Sequence, residues 1–474
     1  MSRLQGSAAV GFGTKGDPGS FRDPAGRVVH HEGRILRIVT LIGAGNYARV
    51  RDTGLLAELA SAGLIVPWRE VACPDSIDAL TGPVAHVLEH PKLDFVSYPY
   101  EWPFAALQAA ALLHLDVHLR ALDRGVTLSD ATAYNVQFDG TRPVFIDHLS
   151  FRPYQEGEYW LAHRQFCDQF LNPLLLAAYC GLPHHSWYRA ELNGIPGPLL
   201  HRLLPWYRRL MPLALLHVTL PALLQNRQGS DARAAKPKSR LPLAAFRHLL
   251  SGLREGIARL RPRGERWSVW SDYAANTVYR PEEASSKHAF VREFIGEVRP
   301  GTVWDLGCNT GDYTVTCLEA GARRVIGFEG DPATAGLAFA RARDQGLAFL
   351  PLVMDLANPS PSQGWREAER GGLAQRTRPD AVIALALLHH LVIQNNIPLA
   401  EAVAWLISLA PAGVIEFVPK NDPMVQRLLA LRDDIFPDYT QERFLALVAR
   451  SAAITGQAQV TRDGRLLVRY RCAS

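Results

Sequence analysis

A chain of 474 residues exceeds what one ordinary hydrophobic core sustains and implies two or three domains. With 48% apolar and 20% charged residues it is globular, which excludes a disordered or fibrous chain. The net charge of +5 is spread along the sequence and argues only slightly for an acidic partner such as nucleic acid or an anionic membrane surface.

Residues 1–25 are rich in Gly, Ser and Asp, lack the apolar run of a signal peptide, and read as a flexible N-terminus. A first compact region spans 26–224. Within it the pattern predicts a hairpin from Arg27 to Arg37 around Glu32-Gly33 and a helix near 50–62 containing Glu58. An apolar run at Phe95-Val96 and a long helix over 104–123 follow. The segment Asp130-Ala-Thr-Ala-Tyr-Asn135 then leads through a hairpin, turning at Asp139-Gly140, to Asp147. Met211 to Leu224 is the richest apolar stretch, too short and Pro-broken to span a bilayer. Six cysteines, at 73, 167, 180, 308, 317 and 472, form no Cys-x-x-Cys pair, so no metal site and no disulfide framework are expected, and a reducing cytoplasm fits.

Residues 225–241 are polar, basic and aperiodic, which reads as a linker; the competing reading, a nucleic-acid patch, lacks interleaved aromatics. Pro242 to Leu260 has apolar residues at helical spacing and is expected to pack onto a second domain spanning 242–474. From Thr302 strands and helices alternate: strand 302–306, helix 311–320, strand 324–329, helix 332–345, strands 348–354 and 381–387, helix 397–409, strand 413–418. Alternation of this kind predicts a parallel, doubly wound α/β sheet. Ile454 to Val460 and Arg465 to Arg471, around Asp463-Gly464, read as a terminal hairpin.

The strand Val303–Leu306 breaks into Gly307-Cys308-Asn309-Thr310-Gly311 and then a helix. Gly307 and Gly311 remove Cβ atoms where backbone approaches a ligand, and the helix start offers unpaired N–H groups. The following strand ends in Glu329, whose carboxylate can accept from both hydroxyls of a ribose. The spacing is Asp-x-Gly-x-x-x-Gly, not that of a dinucleotide fingerprint or a phosphate loop. A nucleoside without pyrophosphate is therefore expected.

These residues resemble the class I S-adenosylmethionine-dependent methyltransferases over about 268–474. The resemblance implies that Asp305, Gly307 and Gly311 hold the methionine end of S-adenosyl-L-methionine, Glu329 the ribose and Asp355 the adenine, with Cys308 and Asn309 of the same turn also binding the cofactor. It also implies an aromatic lid at Trp267–Tyr279, the alternative being helix packing. The fourth strand ends in Leu388-His389-His390 with no Asn-Pro-Pro-Tyr clamp for a planar amine, so a hydroxyl acceptor is favoured, with His389 or His390 as the base and a structural hydrogen-bonding role as the alternative. Glu416, Lys420 and Asn421 are candidates for the acceptor pocket, the alternative being a turn in which Asp422 caps the next helix.

Asp130, Asn135 and Asp147 resemble the base and magnesium ligands of the protein-kinase and aminoglycoside-kinase-like families. No Gly-rich loop precedes the first hairpin, and Arg37 stands where a Lys would pair with Glu58. An α+β kinase-like module that binds substrate, with Mg/ATP not expected to turn over, is the resulting expectation. With Ser97-Tyr-Pro-Tyr-Glu-Trp102, Tyr159-Trp-Leu-Ala-His-Arg-Gln-Phe-Cys167 and Glu416-Phe-Val-Pro-Lys420, most of residues 20–474 resembles the NoeA-type nodulation protein family. That resemblance implies polysaccharide or Nod-factor-type glycan modification and, joined to the readings above, gives the expectation of a cytoplasmic methyltransferase acting on a glycan or small-molecule hydroxyl. The alternatives are a bifunctional kinase-methyltransferase, a nucleic-acid methyltransferase, and a non-enzymatic scaffold.

Overall fold

The computed structural model describes residues 14–74, 83–227, 240–264, 280–430 and 432–473. The first thirteen residues, most of the expected linker and the expected aromatic lid lie outside the described residues.

The N-terminal half opens with an antiparallel sheet in the order β1-β2-β3-β5-β4, from β1 (Lys15–Gly16), β2 (Gly26–His31), β3 (Arg34–Thr40), β4 (Arg69–Val71) and β5 (Val84–His90). The β2–β3 turn needs left-handed backbone, supplied by Glu32 and Gly33 at φ 49° and 79°. The helix expected near 50–62 is two helices, Leu41–Asp52 and Leu55–Ser61, parted by Gly54 at φ 76°. In the first of them a Cβ at Gly43 would lie 2.5 Å from the Ala25 carbonyl oxygen. The small residue is demanded by close packing rather than by a turn.

The long helix forms at Phe104–Asp123, with most of its Ala, Leu and His side chains buried. Two short antiparallel pairs follow, β6 (Val126–Leu128) with β9 (Phe151–Pro153) and β7 (Val136–Asp139) with β8 (Arg142–Phe145).

The C-terminal half is a seven-stranded sheet in the order β12-β11-β10-β13-β14-β16-β15. Its parallel strands are β10 (Thr302–Leu306), β11 (Arg324–Glu329), β12 (Phe349–Val353), β13 (Ala381–Ala384) and β14 (Ala412–Phe417). They are almost wholly buried, as a sheet covered by helices on both faces requires. The hairpin of β15 (Ala453–Gln459) and β16 (Leu466–Arg471) closes the sheet, with β16 antiparallel to β14. The sheet is thus mixed, a doubly wound parallel core with a terminal antiparallel hairpin.

The helix Leu243–Arg259 corrects one expectation, because it packs on Phe104–Asp123 of the N-terminal half and not on the C-terminal sheet. Its buried stripe is Phe246, Leu250, Leu253 and Ile257, with Phe246 edge-on to His118. Arg247 and Arg254 pair with Asp123 and Asp116, and the Gln108 amide donates to the Ile257 carbonyl at 2.7 Å. Periodicity identified the apolar face; the acids that select its partner lie well over a hundred residues earlier. Between the halves one apolar cluster is continuous, with Phe95 edge-on to Trp304 and Phe328. A buried ion pair, Arg376 to Glu101 at 2.6 Å, crosses the same junction.

Candidate cofactor and acceptor site

β10 is flanked by β11 on one side and β13 on the other, so successive connections leave it in opposite directions. A crevice at such a switch point, beyond the carboxyl ends of the strands, is where open α/β sheets bind ligands. The turn after β10 fills that position. Gly307 and Gly311 take φ 79° and 89°, and a Cβ on Gly311 would come within 2.8 Å of the Phe349 ring. Asn309 between them is also left-handed, at φ 48°, and its side-chain oxygen accepts from the Thr310 N–H at 2.7 Å.

The Glu329 carboxylate ties the second strand to this turn. One oxygen accepts from Asn309 N–H and the other from Asp331 N–H, both at 2.9 Å. Burial raises its pKa while the two N–H groups oppose the rise. Asp305 is buried on β10 and accepts from the Thr314 hydroxyl at 2.7 Å. Burial pushes its carboxyl up to about 7, opposed by the Thr314 bond and reinforced by the Glu329 charge. A neighbouring cation would draw that proton off.

The structure therefore gathers Asp305, Gly307, Asn309, Gly311 and Glu329 around one turn. Asp355 stands exposed just beyond β12, where its carboxylate accepts from Ala357 N–H at 2.9 Å. Cys308 departs from its expected place: its side chain is buried in the apolar layer, in the slot left by Gly327, where a Cβ would meet its Sγ at 2.7 Å. Only its backbone remains at the turn, its N–H bonded to the Phe328 carbonyl at 3.1 Å.

On the acceptor side β13 stops at Ala384 rather than reaching 387, because Ala386 turns left-handed at φ 50°. The Ala386 N–H donates to the fully buried Glu416 at 2.7 Å, and the same oxygen receives Lys287 Nζ at 2.7 Å. Buried Arg465 lies 3.8 Å from the other Glu416 oxygen and donates to Asp422 at 2.7 Å. Burial lowers the Lys287 pKa, with Glu416 opposing. Of the three residues expected in the acceptor pocket, Glu416 is committed to this network, while Lys420 binds Asp434 at 2.6 Å and Asn421 is exposed. Asp422 caps the helix Pro423–Leu429 through Met424 N–H at 2.8 Å. Lys287 was legible as an anomaly, since it shares a helical stripe with Val291 and Phe294 on Pro281–Val298 and a charge on an apolar face demands a buried partner.

His389 and His390 follow β13 with ring centroids 4.1 Å apart. His389 is buried, and neither ring nitrogen has a hydrogen-bond partner among the described residues. Burial, aided by the positive charge of His390, Arg465 and Lys287, holds it well below the usual histidine range. His390 is partly exposed and oriented by Gln394 at 2.7 Å; burial lowers its pKa and that bond opposes the shift.

In the N-terminal half Asn135 donates to Asp130, Asp147 and Ser150 at 3.2, 3.3 and 3.2 Å. Arg37 does not reach Glu58. It donates to Asp147 at 3.0 Å and to the Ile146 carbonyl at 3.0 Å, while Glu58 binds Arg124 at 2.7 Å. Burial raises the pKa of Asp130, and the Asp147 charge adds to the rise.

No described helix is long and apolar enough to cross a membrane. No family model matches the chain. Among solved structures it is similar to the N-methyltransferase NodS of Bradyrhizobium japonicum WM9 in complex with S-adenosyl-L-homocysteine, at 14% identity over 42% of this chain and 91% of that one, TM-score 0.32. It is also similar to the bifunctional kinase-methyltransferase WbdD, at 17% identity over 40% of each chain, TM-score 0.28. A sequence relative is far nearer: the nodulation protein NoeA of Rhizobium meliloti (strain 1021) is 45% identical over 455 residues, 95% of either chain. The chain belongs to the NoeA family of nodulation proteins.

Proposed function

We propose that this chain is an S-adenosylmethionine-dependent methyltransferase that methylates a hydroxyl of a glycan or small metabolite. The observation that carries the reading is the tie between Glu329 and the Gly307–Gly311 turn at the switch point of the sheet, with Asp305 buried beneath it. S-adenosylmethionine supplies an electrophilic methyl group on a sulfonium. The residues fit it chemically: Glu329 keeps acceptor capacity beyond its two N–H bonds for ribose hydroxyls. Asp305, poised near neutrality, favours a positive charge close by.

In-line displacement asks the protein mainly to position donor and acceptor and to take the hydroxyl proton. His390 suits that task better than His389, being partly exposed and held by Gln394, whereas His389 is sealed in the core. The Lys287–Glu416 pair pins the Ala386 N–H and so fixes the turn that carries both histidines.

Purified protein with methyl-labelled S-adenosylmethionine and fractionated extract should label a hydroxyl-bearing glycan or metabolite. His390→Asn should lower turnover by about a hundredfold with cofactor affinity unchanged. His389→Asn should instead lower the melting temperature. Full turnover in His390→Asn would remove its role, and cofactor binding without product from any fraction would favour a scaffold.

The N-terminal half is proposed as a kinase-like module that presents substrate without transferring phosphate. Arg37 supports this, because it already places a guanidinium on the carboxylate that a magnesium ion would need.

A further inference from the structure

Three side chains far from the crevice converge in the N-terminal half. His163 and Cys167 are four residues apart on the continuous helical stretch formed by His163–Phe166 and the π-helical turn Cys167–Leu171, and so share a face. His217 arrives from a second π-helical turn, Leu215–Thr219. His163 Nε2 lies 3.0 Å from His217 Nδ1 and 3.6 Å from Cys167 Sγ. One candidate ligand atom from each residue lies within 4.8 Å of the others.

Tetrahedral zinc, with bonds of about 2.0 Å to nitrogen and about 2.3 Å to sulfur, sets nitrogen–nitrogen pairs about 3.3 Å apart and nitrogen–sulfur pairs about 3.6 Å apart. The His163–Cys167 distance matches without adjustment, the nitrogen pair needs to open by a few tenths of an ångström, and the Cys167–His217 pair lies within 4.8 Å. Cys167 and His217 are buried and His163 is half-buried, so the trio has an approach from the surface.

We propose that His163, Cys167 and His217 form a metal site for zinc or a chemically similar ion, with the fourth position open to water. The donor set of two imidazoles and one thiolate is of the borderline-soft kind zinc prefers over magnesium or calcium. Binding transfers the Cys167 thiol proton to solvent and leaves a thiolate on the metal. Cys167 and His217 both lie on π-helical turns, a geometry that concentrates at functional sites.

The other face of the same stretch shows what the ion would steady. The Gln165 side chain accepts from Ala131 N–H, and that of Gln169 from the Thr132 hydroxyl and Ala133 N–H, each at 2.9 Å. A metal clamping this stretch to His217 would hold the loop that carries Asp130 and Asn135.

The competing structure is a histidine–histidine hydrogen bond beside an inert thiol. The full chain, purified without a polyhistidine tag or chelator, separates the two by metal analysis and by titration of the metal-free protein with cobalt(II). About one zinc per chain and a thiolate-to-cobalt charge-transfer band are expected in wild type and in Cys180→Ser. Cys167→Ser should lose the band and bind zinc at least about tenfold more weakly. Folded wild type with neither zinc nor the band would establish the hydrogen-bonded pair, and a band that persists in Cys167→Ser would place the ion elsewhere. If Cys167→Ser fails to fold, the wild-type band alone decides.

Discussion

Asp147, two residues beyond β8 in the N-terminal half, and Asp305, on β10 in the C-terminal half, both stand at a candidate site, yet their surroundings differ. Asp147 accepts from Arg37, Asn135, Ser150 and the Leu149 N–H, so a full positive charge and three neutral donors already satisfy it. Asp305 accepts from the neutral Thr314 hydroxyl and is raised to about 7 by burial. A carboxylate neutralised from within the fold has little to offer an incoming cation, whereas one left near half-protonation gains by meeting one. The same residue type thus reads as spent in one half and available in the other.

The C-terminal half also holds charges paired from within, and these set the largest expected effect. Lys287→Met would leave Glu416 buried beside the Ala386 N–H with its nearest ammonium removed. Breaking one side of a buried pair costs about 3–5 kcal/mol, so denaturant unfolding should shift by that amount. Glu416→Gln in the same background should recover part of the loss. A shift below about 1 kcal/mol would mean that Arg465 alone sustains Glu416, and the contrast between structural and ligand-ready carboxylates would blur.

Glu329→Ala sharpens the contrast from the ligand-ready side. It would remove the charge-assisted bonds to a ribose that the proposed function assigns to it, and it also frees the Asn309 and Asp331 N–H groups that hold the turn. At about 1.5–3 kcal/mol per charged hydrogen bond, with water restoring part, calorimetry should show S-adenosylmethionine affinity weaker by about 2–4 kcal/mol. Unchanged affinity in a folded variant would remove Glu329 from the site.

How far such contrasts show in the sequence depends on range. β10, β11 and β12 lie within a residue of their expected spans, because each is a short apolar run bounded by Gly or a charged residue, a purely local signal. The turn of Gly307 to Gly311 was legible for the same reason. Cys308 was not, because its direction is set by Gly327 on the neighbouring strand. The helix 243–259, the Lys287–Glu416 pair and the trio of His163, Cys167 and His217 each join segments roughly fifty to more than a hundred residues apart. One sequence marks such residues as anomalies, a charge on an apolar face or a lone thiol, without naming their partners.

The smallest effect is expected where the N-terminal carboxylates are already satisfied. If Arg37 holds the place of a metal, wild type should incorporate no phosphate from magnesium-ATP, and Asp130→Ala should leave methyl transfer within about twofold, since no proton passes through that carboxyl. Arg37→Ala frees Asp147 and should raise magnesium-nucleotide affinity above wild type, because a hard cation requires only oxygen ligands and water beside the phosphates. Filter binding and phosphate release read both outcomes. Wild-type ATP turnover that vanishes in Asp130→Ala would overturn the non-catalytic reading and promote a bifunctional enzyme. Nucleotide affinity that falls in Arg37→Ala would show the guanidinium serving the phosphates directly, making Asp147 as ready for a ligand as Asp305.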